Sequence, residues 1–163
     1  MEDILYAPWR DEYVTNEKIQ GCVFCHISKN AFDDGKLHVL YRDEHCFIVM
    51  NRYPYTPGHF MIIPHTHIDK LEELDPKVWL HISSLAQKGV CLLKEGLGAH
   101  GVNLGMNLGK AGGAGIAEHI HLHLVPRWER DTNFITSIGN TRVYSTDFDK
   151  MYQKILDLVP KYI

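Results

Sequence analysis

No stretch of this 163-residue chain approaches the roughly 20 consecutive apolar residues that a membrane-crossing helix needs. The N-terminus, MEDILYAPWRDEY, is acidic and aromatic and lacks the apolar core of a secretory signal. A surplus of positive charge is missing too: 17 Lys and Arg against 20 Asp and Glu leave a net charge of −3. That balance disfavours a surface built for the phosphates of long nucleic acid, though a small nucleotide needs only a few local groups. Internal repeats and low-complexity tracts are absent. These absences predict a cytoplasmic chain with no membrane partner and no long nucleic-acid partner. Cysteine is scarce, at four. Cys46 and Cys91 stand alone and read as core, while Cys22 and Cys25 form a C-x-x-C pair. In a reducing compartment such a pair points to metal or redox chemistry rather than a structural disulfide.

What is present is ordinary for a globular protein, with 45% hydrophobic and 23% charged residues. Residues 1–20 are weakly periodic and read as an N-terminal arm, and 21–163 as one domain. KLHVLYRD, HCFIVMN and HFMIIP read as three strands, separated by a charged turn and by the Pro- and Gly-bearing loop NRYPYTPG. Residues 69–74 suit a short helical turn. Asp75-Pro76 then has the form of an N-cap and first helical position, predicting a main helix over 76–95 that stops at Gly96-x-Gly98. HGVNLGMNL and IAEHIHLHLVPRW read as a fourth and a fifth strand around a KAGGAG loop. Asp147, Phe148 and Met151 open a C-terminal helix running to Val159. The expected fold is α+β: a five-stranded antiparallel sheet with its helices segregated to one side.

One histidine pattern stands out among 11 histidines. On a strand, His119, His121 and His123 share one face, about 6.6 Å apart, while Ile120, Leu122 and Leu124 face a core. A half-exposed strand using His as its polar partner accounts for the alternation alone. The preceding Lys110–Gly115 loop adds bulk-free backbone able to turn N–H groups toward an anion. Two chemistries fit. A neutral imidazole can attack phosphorus and form a phosphoramidate, or three imidazoles can hold a catalytic zinc that activates water.

HIHLHLV resembles the signature of the histidine triad superfamily of nucleotide hydrolases and transferases, and Asn51–Pro64 resembles the family's upstream segment. The likeness covers most of residues 20–130, in the right order. NLGKAGGAGIAEHIHLHLVPRW followed by RDTNF is similar to the bacterial-type branch that includes diadenosine tetraphosphate phosphorylases. Gly115 and Ile116 depart from the Gln and Ser or Thr that many triad hydrolases carry there, which leaves phosphate contacts to backbone amides such as those of Gly113 and Gly115. The resemblance implies that His121 is the nucleophile attacking the α-phosphorus and His123 a donor beside the phosphate. His59 would help orient the site, Asn51 would bind the ribose, and Asn107 would contact phosphate or ribose near the leaving group. It also implies a homodimer pairing the main helix and a sheet edge.

Some members of the family are similar in carrying a zinc site like the Cys22–Cys25 pair, whose further ligands would be His67 and His119. His65 competes for that place, and His26 is badly placed to complete a tetrahedron. A zinc held by two thiolates and two imidazoles is closed, which weakens the catalytic-zinc alternative. No organic cofactor is expected. Trp128, Asp131, Thr132, Asn133 and Phe134 would lie near the site, although Trp128 suits a strand-end anchor as well. Phe47, Ile48 and Ile62 would form either a purine slot or core. The leading function is nucleotidyl transfer from a dinucleoside polyphosphate such as diadenosine tetraphosphate through nucleotidyl-His121, with phosphate or water as acceptor. The alternatives are hydrolysis of an AMP-amine phosphoramidate and a non-catalytic module that binds an adenine nucleotide.

Overall fold

The computed structural model describes residues 21–163 apart from Asn133, Asn140 and Arg142, and leaves out the side chain of Ser137. The arm expected over residues 1–20 and the role considered for Asn133 therefore lie outside the described residues. Strands β1 (Val39–Arg42), β2 (Cys46–Met50), β3 (Phe60–Pro64), β4 (Gly101–Gly105) and β5 (Leu122–Arg127) form one sheet in the order β1-β2-β3-β5-β4. Every neighbouring pair is antiparallel. The α-helices among the described residues are α1 (Val23–Lys29), α2 (Pro76–Cys91), α3 (Phe134–Gly139) and α4 (Phe148–Tyr162). None of these helices is long and apolar enough to cross a membrane.

The caps read from the sequence are in place. Asp75 accepts from the Lys77 N–H with Pro76 in the first turn, and Asp147 accepts from the Lys150 N–H. The main helix ends as an α-helix at Cys91 and continues as a π turn over Leu92–Gly96. Cys91 is exposed, which corrects its reading as core, whereas Cys46 is fully buried.

Alternation divides the sheet into two apolar faces. Cys46, Ile48, Met50, Phe60, Ile62, Leu122 and Leu124 join Ile82, Leu85 and Ile155 of α2 and α4 in the main core. Phe47, Val49, Met61 and Ile63 point the other way, onto Phe24 and Ile27 of α1. The helices are thus not confined to one side, as the sequence reading had it. α1 covers the second face, and β2 and β3 are buried on both, which explains their near-continuous apolar sequences. Phe47, Ile48 and Ile62 are fully buried, so they are core and not a purine slot.

The distance between α2 and the sheet is set at Gly89. A Cβ there would meet Leu124 Cδ2 at 2.8 Å and Phe60 Cζ at 3.2 Å. Replacing Gly89 by Ala gains about 1 kcal/mol of helix propensity, but overpacking a tight core costs about 1–3 kcal/mol. The expected outcome of Gly89→Ala is a lower urea midpoint at unchanged slope. A raised midpoint would show that the helix can lift off the sheet without cost.

Candidate functional site

The chain enters β3 through a turn at Gly58, whose φ of 87° is costly for any side-chain-bearing residue. The following residue, His59, is fully buried. The turn is tied down by the Thr56 hydroxyl, which donates to the Pro126 carbonyl at 2.8 Å. Gly58 places His59 opposite β5, where Met61 and Gly105 both pair with His123.

Regular β5 begins only at Leu122, so His123 alone of the three motif histidines lies in the strand proper. The alternation nevertheless continues upstream. The Ile120 N–H donates to the Ile68 carbonyl at 2.8 Å and its side chain joins the main core. His121 packs beside His123 with ring centroids 4.8 Å apart. Phe24 of α1 closes over His119 and His121, its centroid 5.6 and 5.1 Å from theirs. The histidines are therefore not the polar side of a half-exposed strand: all three are buried, His119 completely.

Each ring's tautomer follows from its fixed partners. The Tyr55 N–H donates to His59 Nδ1 at 3.2 Å, so a neutral His59 carries its proton on Nε2. That N–H donates to His123 Nδ1 at 2.9 Å, which leaves the His123 proton on Nε2. Buried His123 Nε2 has no hydrogen-bond partner among the described residues, so the relay ends in an unspent donor. His121 works in the opposite sense. Its Nδ1 lies 2.8 Å from the His119 carbonyl, an acceptor only, so Nδ1 holds the proton and Nε2 keeps its lone pair. One imidazole presents a nucleophilic nitrogen beside another that presents an N–H.

Burial, then the charge repulsion of His123 and His121, pushes His59 down to about 3, and burial followed by His121 pushes His123 down to about 4. Both are neutral at pH 7, the state the relay requires.

His119 shares the face of His121 and His123 but turns its free nitrogen toward the cysteine pair. Its Nε2–H donates to the Pro64 carbonyl at 2.9 Å, so Nδ1 carries the lone pair, 3.4 Å from Cys22 Sγ and 3.7 Å from Cys25 Sγ. His67 Nδ1 lies 3.2 Å from Cys25 Sγ. The four ligand atoms are all within 4.8 Å of one another, a grouping compatible with a two-sulfur, two-nitrogen metal site. His65 does not compete, because Ser28 Oγ at 2.8 Å and the Asp43 carbonyl at 2.9 Å occupy its two nitrogens. Exposed His26 contacts Asn30 instead.

The substrate-contact candidates are placed less uniformly. Asn51 Oδ1 accepts from the Tyr53 N–H at 2.9 Å, while Nδ2 lies 3.4 Å from both His59 nitrogens, which puts it on the ring face. Asn107 follows β4 with its backbone against Gly112 of the glycine loop. That loop is a 3-10 turn over Lys110–Gly112. The Gly113 N–H donates to the Lys110 carbonyl, so in this conformation its amide is unavailable to an anion. The Gly115 N–H has no such bond among the described residues.

Downstream, Asp131 accepts from Arg127 at 2.6 and 2.8 Å and from the Trp128 N–H, and the guanidinium holds its carboxyl far below the usual range. Trp128 donates to the Gly98 carbonyl and packs on the main core, the anchor reading. Thr132 bonds Asp131, and Phe134 is exposed at the start of α3. Tyr55 and Phe24 escaped the sequence reading: one acts through a backbone amide, the other sits unremarked between two cysteines.

Unfolded imidazoles titrate near 6.5. Below that value the unfolded chain binds protons that His59 and His123 refuse in the folded protein, so stability falls as pH drops from about 6.5 toward 4 and 3. The slope contributed by these two groups reaches at most about 2.7 kcal/mol per pH unit. Urea unfolding at pH 7, 6 and 5 should show it, and identical midpoints would contradict burial of neutral rings.

The HIT domain family model matches residues 34–130. An AP-4-A phosphorylase of Mycobacterium tuberculosis is 34% identical over 148 residues, covering 85% of this chain and 75% of that one. The adenylylsulfatase HINT3 of Arabidopsis thaliana is 30% identical over 142 residues, covering 87% and 69%. Among solved structures, a zinc-bound histidine triad family protein from Mycobacterium smegmatis superposes with a TM-score of 0.70 at 29% identity, covering 86% of this chain and 94% of that one. The buried triad, its β3–β5 setting and these matches converge: the chain belongs to the HIT domain family, whose members process nucleotides.

Proposed function

We propose that this chain transfers a nucleotidyl group from a dinucleoside polyphosphate, of the diadenosine tetraphosphate kind, to phosphate or water through a covalent nucleotidyl-His121 intermediate. The observation that carries the reading is the set of ring contacts that gives adjacent His121 and His123 opposed tautomers. His121 Nε2 attacks the α-phosphorus as the P–O bond to the departing polyphosphate breaks. The positive charge gained by the ring is met by its Nδ1–H bond to the His119 carbonyl. His123 Nε2–H donates to a phosphoryl or bridging oxygen as negative charge builds there. In the second half, an oxygen of phosphate or water attacks phosphorus and the P–N bond breaks, returning neutral His121. Asn51 and Asn107 hold the ribose or phosphate, and Gly115 offers its amide.

We also assign Cys22, Cys25, His67 and His119 as a structural zinc site. The donor set fits zinc, and the Pro64 carbonyl fixes the His119 tautomer that leaves a lone pair for the metal. Bound zinc would pin α1 to the chain just ahead of the nucleophile. A catalytic zinc on the three motif histidines is disfavoured, because His119 turns its lone-pair nitrogen to the thiols. Residues 21–163 would act as one domain with 1–20 as an arm. A cytoplasmic homodimer would use the free edge of β4, where Leu104 is 53% exposed.

Product analysis tests the central proposal. With diadenosine tetraphosphate, ADP and ATP formed only in the presence of phosphate would identify phosphorolysis, and AMP and ATP regardless of phosphate would identify hydrolysis. His121→Asn should cut turnover by on the order of 10⁴-fold or more while nucleotide still binds. Tight AMP binding with no turnover by the unaltered chain would favour the binding-module alternative. Turnover confined to AMP-amine substrates would favour the phosphoramidate alternative.

A further inference from the structure

At the same end of the sheet as the cysteine pair, but on the opposite face, a second group of metal-ligand side chains converges. Asp43, Cys46 and His81 bring one oxygen, one sulfur and one nitrogen within 4.8 Å of one another. Three parts of the fold supply them: the β1–β2 turn, the first residue of β2 and the second turn of α2. Asp43 Oδ1 is used by the turn, accepting the His45 and Cys46 N–H groups at 2.8 and 3.0 Å. Its other oxygen is aimed at α2, 2.6 Å from His81 Nε2. Cys46 is completely buried and forms the floor, while the His81 side chain is 35% exposed and forms the mouth. His45 stands beside His81 with ring centroids 5.1 Å apart, its Nε2 3.2 Å from Glu44 Oε1.

The turn is held from behind as well. The His65 ring donates to the Asp43 carbonyl, and its backbone N–H donates to the His45 carbonyl. The carboxylate is thus positioned without help from His81, so the Asp43–His81 contact is not needed to shape the turn. Hydrogen bonds from the His45 and Cys46 amides and from His81 outweigh burial and hold the Asp43 carboxyl down at about 2, so it is ionised at neutral pH. Burial pushes the Cys46 thiol up to about 12. Any ion bound there therefore displaces the thiol proton to solvent, and this site is weaker than one built from two more exposed thiols.

We propose that Asp43, Cys46 and His81, with His45 as the adjacent imidazole, form a second site for a divalent first-row transition ion, separate from the Cys22–Cys25–His67–His119 cluster and from the triad. One carboxylate, one thiolate and one or two imidazoles suit a borderline ion such as zinc or cobalt(II), and suit magnesium or calcium poorly. To admit an ion with bonds near 2 Å, the 2.6 Å oxygen–nitrogen contact would open by under about 1 Å.

The test is equilibrium dialysis of the full-length chain against cobalt(II), with metal counted by mass spectrometry and sulfur-to-cobalt charge transfer followed by absorbance. His81→Gln alters a half-exposed position, and Asp43→Asn keeps the oxygen that caps the turn, so both variants should stay folded. Each should bind one ion fewer than the unaltered chain, or bind the weaker ion at least about 10-fold less tightly. The two-thiolate absorbance of Cys22 and Cys25 should persist in both. The Cys22→Ser/Cys25→Ser double variant should show the reverse, losing that absorbance and keeping the ion at Asp43 and His81. If His81→Gln and Asp43→Asn hold as much cobalt, as tightly, as the unaltered chain, the second site does not exist.

Discussion

The hydrogen bond from His121 Nδ1 to the His119 carbonyl, 2.8 Å long, is the contact on which the rest of the site depends. It leaves the lone pair of His121 on Nε2, the nitrogen that the proposed chemistry uses, and it ties that choice to the backbone of the neighbouring metal-ligand candidate. His119 is itself held from two directions. Its ring is bonded to the Pro64 carbonyl at the end of β3, and its lone pair is turned to the cysteine pair. The orientation of His121, the proposed nucleophile, is therefore set by β3, by α1 and by the buried segment that leads into β5. None of the three is a mobile surface loop.

Such a site is expensive for the fold. Four histidines, His59, His119, His121 and His123, are buried, and an orphaned buried N–H costs about 1–3 kcal/mol. The sheet offsets this with two apolar faces, one under α2 and α4 and one under α1. The close seating of α2 at Gly89 presses on Phe60 and Leu124, the residues next to His59 and His123. Packing on the main face thus fixes the backbone from which the histidines project on the other. A hydrogen-bond acceptor such as a phosphoryl oxygen would satisfy His123 Nε2, which has no partner among the described residues.

Much of this was legible in the sequence where the period was strong or the chemistry punctuated. Asp75-Pro76 named the start of the main helix, the apolar runs named β2 and β3, and alternation named the face shared by His119, His121 and His123. α1 was not legible, because a seven-residue helix gives under two turns of periodicity and its only conspicuous letters were the two cysteines. Missing it led to the one-sided placement of helices. Alternation also read strand back to Ile116, but regular pairing starts at Leu122, opposite Ile62, and beyond it an isolated bond such as Ile120 to Ile68 takes over. A backbone acceptor for the His121 ring is what its chemistry calls for, but the individual partners were not legible. They are a backbone amide at Tyr55 and carbonyls at Pro64 and His119, main-chain groups that side-chain identity does not reveal.

The most direct measurement of the account is a long-range nitrogen–proton NMR correlation of the imidazoles at pH 7, with His121 and His123 assigned by substitution. The account predicts that His121 carries its proton on Nδ1 and His123 carries its proton on Nε2. A His121 protonated on Nε2, or a His123 protonated on Nδ1, would remove the lone pair or the donor from the place where phosphorus chemistry requires it and contradict the proposed mechanism.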